Sequence, residues 1–112
     1  MKDKRKSRKS LFTVVWEFRV PARKRRVFEN AYGPWGAWAQ LFRGAEGYVC
    51  TELLRDRKDR GRYLTIDHWK SRQAFVSFKR RSHSQYAALD EACAAFTEEE
   101  RLVGEFENLG PQ

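Results

Sequence analysis

His68 and His83 are the only side chains in this 112-residue chain whose ordinary pKa lies near neutrality, so they are the first candidates for moving a proton. His68 sits in the run Arg62 to Trp69 and shares alternate positions with Leu64 and Ile66. If those aliphatic residues face the interior, His68 stands at its edge, and it is the candidate base. The alternative is a partly exposed histidine at a strand end. His83, between Ser82 and Ser84 at a break in helical pattern, reads as a cap or surface residue. Trp16, Tyr32, Trp38 and Phe78 are candidate substrate walls, with Phe18, Trp35 and Phe75 beside them, although the same rings also serve to fill a small core. Asn30 and Tyr32 are candidates for orienting a substrate oxygen, and Arg62 for holding a phenolate or carboxylate. Glu17, Glu52 and Asp67 are expected to pair with Arg19, Arg55 or Arg62 rather than act as acids.

Other chemistries lack their residues. Two scattered histidines without EXXH or HXH spacing form no metal set. Cys50 and Cys93 lie far apart without a CxxC pattern, and two buried free thiols in a reducing cytoplasm are expected. No GxSxG elbow and no locally paired Cys and His support nucleophilic catalysis. The expectation is a site with no metal and no cofactor.

The elements that must position these residues follow from periodicity. Phe12, Val14, Trp16, Phe18 and Val20 alternate with more polar neighbours, as in a half-buried strand ended by Pro21. Val27, Ala31, Trp35, Trp38 and Phe42 recur at intervals of three and four, as on a helix face, and Gly33-Pro34 divides that stretch, with Pro34 expected to open its second segment. Gly47 to Asp56 and Arg62 to Trp69 read as a hairpin around the charged loop Arg57 to Gly61. Ser71 is a helix N-cap before Ala74, Phe75 and Phe78. After the break at Ser82 to Ser84, the helical spacing resumes through Tyr86, Leu89, Cys93 and Phe96. Thr97 and Glu100 have the form of a capping box, and Leu102 to Glu107 reads as a last strand. The order βαββαβ implies an α+β, ferredoxin-like fold: an antiparallel four-stranded sheet with both helical layers on one face. Val15, Cys50, Leu54, Tyr63 and Trp69 are expected to offer apolar surface on the other face, which a sheet-to-sheet homodimer would bury.

Composition bounds the partners. With 41% hydrophobic and 14% aromatic residues the chain suits one domain, over residues 11–107, between a basic tail (1–10) and a short C-terminal tail (108–112). The formal charge is +8, but residues 1–10 hold six Lys/Arg against one Asp, so five of those charges lie in the tail and three in the rest. Such a like-charge block is expected to be disordered, and nucleic acid is not an expected partner. No long uncharged apolar run spans a membrane, and Thr13, Glu17 and Arg19 interrupt the stretch after the basic start, so no export signal is read and a cytoplasmic location is expected.

Longer stretches carry a family resemblance. Ala31-Tyr32-Gly33-Pro34-Trp35-Gly36-Ala37-Trp38-Ala39-Gln40-Leu41-Phe42-Arg43, then Gly47-Tyr48 with Thr51-Glu52-Leu53-Leu54-Arg55-Asp56, resemble an antibiotic biosynthesis monooxygenase (ABM) domain. Arg62-Tyr63-Leu64-Thr65-Ile66-Asp67-His68-Trp69, with Ser71, Ala74, Phe75 and Gly104-Glu105-Phe106, extend the resemblance over roughly Leu11 to Glu107. It implies a dimeric α+β barrel with a pocket between each subunit's sheet and helices. Members of this family include oxygenases that convert phenols, anthrones or hydroquinones to quinones with O₂ and no cofactor, and others that degrade haem. The haem-degrading branch has an Asn on the first strand, a Trp after the third strand and a His about ten residues later. Here Phe12 to Val20 holds no Asn, Phe78 falls near the Trp position and Ala88 near that of the His, so haem degradation is not expected. The expected function is cofactor-independent oxygenation of a small aromatic, phenolic or quinol substrate by a homodimer. Its alternative is a non-catalytic ligand-binding or dimerisation module of the same fold.

Overall fold

The computed structural model describes residues 10–110, so expectations for the basic tail at 1–9 and for residues 111–112 lie outside the described part. Four strands, β1 (Phe12–Arg19), β2 (Tyr48–Arg55), β3 (Arg62–Trp69) and β4 (Glu99–Glu107), form one antiparallel sheet in the order β2-β3-β1-β4. Helices α1 (Arg25–Tyr32) and α2 (Ala37–Arg43) connect β1 to β2, and α3 (Arg72–Arg81) and α4 (His83–Cys93) connect β3 to β4. This is the expected open-sheet, ferredoxin-like α+β fold. Among the described residues no helix is long and apolar enough to cross a membrane.

Strand alternation determines which residues meet the helices. Phe12, Val14 and Phe18 of β1 are buried with Tyr63 and Trp69 of β3, because the register sets Phe12 beside Trp69 and Phe18 beside Tyr63 on one face. Phe28, Tyr32, Trp38, Phe42, Phe78 and Cys93 cover that face from the helices. Each large ring removed from water in this way contributes about 1.5–3 kcal/mol before entropy is counted. Trp69 has no exposed surface and touches Phe42, Tyr48, Phe75 and Phe78 with ring centroids 5.4–5.6 Å apart. Tyr63 and Trp69 therefore belong to the helix-side core, not to the open face where they were expected. Val15, Cys50 and Leu54 do occupy the open face, being paired with Ile66, His68 and Leu64.

Several local expectations are also corrected. Ser10, grouped by composition with the tail, is buried, with its hydroxyl oxygen 3.3 Å from the Phe12 carbonyl and 3.4 Å from that of Trp69. The second helical segment starts at Ala37, after an extended Gly36, and not at Pro34. Pro34 forces Gly33 into an extended conformation, and the chain then passes so close to α1 that a Cβ on Gly36 would stand 2.2 Å from the Asn30 carbonyl oxygen. Gly47 adopts φ +95° where its backbone meets Ala74, leaving no room for a side chain. Ser71 caps α3 as expected, accepting from the Ala74 amide at 3.0 Å, while Lys79, Arg80 and Arg81 complement the dipole at its other end. The residues read as a capping box at Thr97 to Glu100 cap no helix: β4 begins at Glu99.

Candidate functional site

A cavity of about 280 Å³ opens between the sheet and the helices. Trp16 and Phe18 from β1, Tyr32 from α1, Trp38 and Phe42 from α2 and Tyr86 from α4 form its aromatic walls. Thr51, Thr65 and Asp67 on β2 and β3 form a polar floor, and Lys79, Asp90 and Glu100 add charged groups. An apolar enclosure with a few convergent polar atoms is the usual form of a small-molecule site, and this volume is at the lower end of the usual range, roughly 300 Å³.

The floor is ordered by a hydrogen-bond chain. Thr51 Oγ1 donates to Asp67 Oδ1 at 2.7 Å, and the Tyr48 hydroxyl lies 2.8 Å from the same Thr51 oxygen. A threonine hydroxyl carries one proton, so with that proton directed to the carboxylate the Tyr48 hydroxyl is the donor to Thr51. Asp67 is 8% exposed. Burial pushes its carboxyl up from 3.8 to about 6, against the smaller opposing effects of the Thr51 hydrogen bond and the charge of His68. The buried phenols shift for the same reason: Tyr86 rises to about 12, aided by the charges of Asp90 and Asp67, and Tyr32 rises further. Burial, then Asp90, raises the Glu100 carboxyl. Lys79 Nζ stands 4.6 Å from the Tyr86 ring centroid and 5.6 Å from that of Phe75. Trp38 Nε1 is buried near the Tyr32 hydroxyl and the Cys93 thiol, in hydrogen-bond geometry with neither.

Three of the residues read as substrate walls, Trp16, Tyr32 and Trp38, are brought together around the cavity. Phe78 lies behind them in the core against Trp69 and Phe42, and Asn30 is exposed on α1. Phe75 packs on Phe12 and Trp69 outside the lining, and Trp35 is 77% exposed in the turn before α2, under the Arg43 guanidinium.

The placement of His68 at the cavity edge is corrected. Leu64, Ile66 and His68 all point to the open sheet face, away from the helices. There His68 Nε2 lies 2.8 Å from Glu52 Oε1, and Nδ1 lies 3.2 Å from Thr13 Oγ1 and 3.3 Å from Ser10 Oγ. An ionised carboxylate only accepts, so in the neutral ring Nε2 carries the proton and Nδ1 accepts. Glu17 forms ion pairs with Arg62, at 2.7 Å, and with Arg101, which hold its carboxyl below the usual range. Asp67 pairs with no arginine among the described residues, contrary to expectation. On β3, Asp67 and Thr65 share the alternation of Tyr63 and Trp69, whose large rings were the available signal that this parity faces inward.

A family model described as antibiotic biosynthesis monooxygenase matches residues 11–89. The chain belongs to the antibiotic biosynthesis monooxygenase family. Solved structures of similar shape fit that assignment. A monooxygenase from the gene ActVA-Orf6 of Streptomyces coelicolor, in complex with nanaomycin D, superposes with a TM-score of 0.72 at 22% identity, covering 95% of this chain and 93% of that one. SnoaB, a cofactor-independent oxygenase from Streptomyces nogalater, gives 0.68 at 23% identity over 92% and 97%. The haem degrader MhuD from Mycobacterium tuberculosis gives 0.67 at 21% identity over 90% and 98%. At these identities the likeness establishes the ABM fold alone. No curated protein matches the chain. Among the described residues no histidine, cysteine or methionine, the side chains that most often hold haem iron, lines this cavity.

Proposed function

We propose that this ABM-family chain is a cofactor-independent monooxygenase that oxidises a small phenolic, quinol or anthrone-like aromatic with O₂. The observation that carries the reading is the aromatic cavity with a buried polar floor, in which a flat ring can stack while its oxygen substituent meets Thr51, Thr65 or Asp67. An electron-rich phenolate supplies the electrons for O₂ itself, so the protein needs to exclude water, hold the ring and manage a proton. Trp16, Tyr32 and Trp38 are the proposed substrate walls.

The open face supports a homodimer as part of the same proposal. Val15, Leu54, Leu64, Ile66 and Phe106 form an apolar patch, rimmed by Glu17 with Arg62 and Arg101 and by Glu52 with His68. Oxygen consumption by purified protein, with anthrone and 1,4-naphthohydroquinone as substrates in chelator-treated buffer, tests the activity. Consumption above the uncatalysed rate, reduced in Trp38→Ala, is the expected result. Tight binding of these aromatics without any oxygen consumption would instead favour the non-catalytic module.

A further inference from the structure

We propose that Asp67 takes the hydroxyl proton of the aromatic substrate and that Thr51 positions its carboxylate, an inference that rests on the oxygenase reading above. The floor offers one strong acceptor. Asp67 lies at the base of the aromatic cavity with Oδ1 held by Thr51, and among the described residues no ion pair ties up its other oxygen. A ring stacked between Trp16, Tyr32 and Trp38 can direct a hydroxyl to that second oxygen, and the dry surroundings strengthen the hydrogen bond that results.

The step is a simple proton transfer. The substrate O–H bond breaks, the proton passes to the free carboxylate oxygen, and the bonding pair remains on the substrate as phenolate. Tyr48 and Thr51 then relax around a neutral carboxylic acid, since the Tyr48 to Thr51 chain holds Asp67 Oδ1 in place. The polar and titratable groups around Asp67 are Thr51 and Tyr48 from β2, Tyr32 from α1, Lys79 from α3, Tyr86 and Asp90 from α4 and Glu100 from β4, with His68 next to it in sequence but on the opposite face; burial sets its working range, opposed by the Thr51 hydrogen bond and the charge of His68. β1 and α2 contribute Trp16, Phe18, Trp38 and Phe42, none of which bears charge. Burial places the Asp67 pKa at about 6, so at neutral pH the acceptor is ionised yet far more basic than a surface carboxylate.

The probe for this role is 2-naphthol, whose hydroxyl stays protonated in water from pH 4.5 to 8 but becomes strongly acidic on excitation, so its emission reports a proton acceptor touching it. In the wild type, naphthol should bind about tenfold more tightly above pH 6 than below it, the size of a hydrogen bond to a charged rather than a neutral acceptor. The bound dye should emit as naphtholate at pH 7.5. In Asp67→Asn the affinity should become independent of pH and the emission should revert to neutral naphthol. Thr51→Val removes a bond that favours the ionised carboxylate, and it should move the midpoint to higher pH, which a merely structural role would not do. 1,4-Naphthohydroquinone oxidation should fall about 10²- to 10⁴-fold in Asp67→Asn and partly recover in Asp67→Glu. Pocket binding with no pH dependence in the wild type, or with the same dependence in Asp67→Asn, would overturn the proposal, as would failure of naphthol to bind. The expected binding pattern without oxygen consumption would refute the oxygenase reading while leaving Asp67 as the proton acceptor.

Discussion

Replacing Asp67 by Asn should make the protein more stable at neutral pH and leave it nearly unchanged in acid. The carboxyl is buried, and its pKa is raised from 3.8 to about 6, so the folded state prefers the protonated form. Between those two values the native protein binds the proton and the unfolded chain does not. Stability contributed by this group therefore falls as pH rises through that window and levels off above about 6. At 1.36 kcal/mol for each tenfold change, the gap corresponds to about 3 kcal/mol at pH 7, an order-of-magnitude figure for one ionised carboxylate held out of water. Asn mimics the neutral acid, accepts from Thr51 and avoids that penalty. Glu17, Asp56 and Asp59 have lowered pKa values and work in the opposite sense, the folded protein losing their contribution as pH falls, but they are common to both proteins and cancel in the difference. Urea unfolding of wild type and Asp67→Asn from pH 4 to 7.5 measures it directly. The curves should diverge upward from about pH 4, with the variant ahead by a few kcal/mol at pH 7. Parallel curves over the whole range would refute a buried, uncompensated carboxylate at this position.

Other perturbations follow from the same geometry. His68→Gln should leave oxygen consumption unchanged, since its ring bonds to Glu52 and Thr13 on the open face; a large loss of turnover in the folded variant would mean that the ring reaches the cavity. Val15→Asp puts an unpaired charge in the centre of the apolar patch and should raise the dimer dissociation constant by about a hundredfold or more, read by analytical ultracentrifugation. Gly47→Ala meets both a φ of +95° and an Ala74 Cβ only 2.5 Å away, and it should cost about 2 kcal/mol or more in urea unfolding. Phe78→Ala, in the core at 2% exposure, should cost about 3–5 kcal/mol by the same measurement while leaving the cavity lining in place.

The fold was legible because its signals were local. The alternation of β1, the charged hairpin loop, the Ser71 cap and the break at Ser82 each act within a few residues, and each is where the periodicity places it. Facing was harder to read on β3, where one side carries Leu64, Ile66 and His68 and the other Tyr63, Thr65, Asp67 and Trp69. Hydropathy favours the aliphatic side for the interior. The structure turns that side outward because the large rings of Tyr63 and Trp69 fill the deeper space under the helices, which leaves the aliphatic residues on the open face and sends His68 away from the cavity.

Two bulges explain why the site could not be assembled from strand parity at all. On β2, Tyr48 pairs with Trp69 and Cys50 with His68, so Val49 is an extra residue, and Tyr48 and Thr51 share the helix side despite their odd separation. On β4, Gly104 pairs with Val15 and Leu102 with Trp16, so Val103 is extra. Glu100 thus turns to the cavity while Phe106, of the same parity, turns to the open face. An inserted residue reverses every side chain beyond it, and no run of apolar residues marks the reversal. Without the β2 bulge, Thr51 facing the helices would leave Tyr48 on the opposite side of the sheet, and the Tyr48 to Thr51 to Asp67 chain could not form. The polar floor is therefore a consequence of sheet irregularity: the extra residue at Val49 brings a second hydroxyl to the threonine that holds the buried carboxylate.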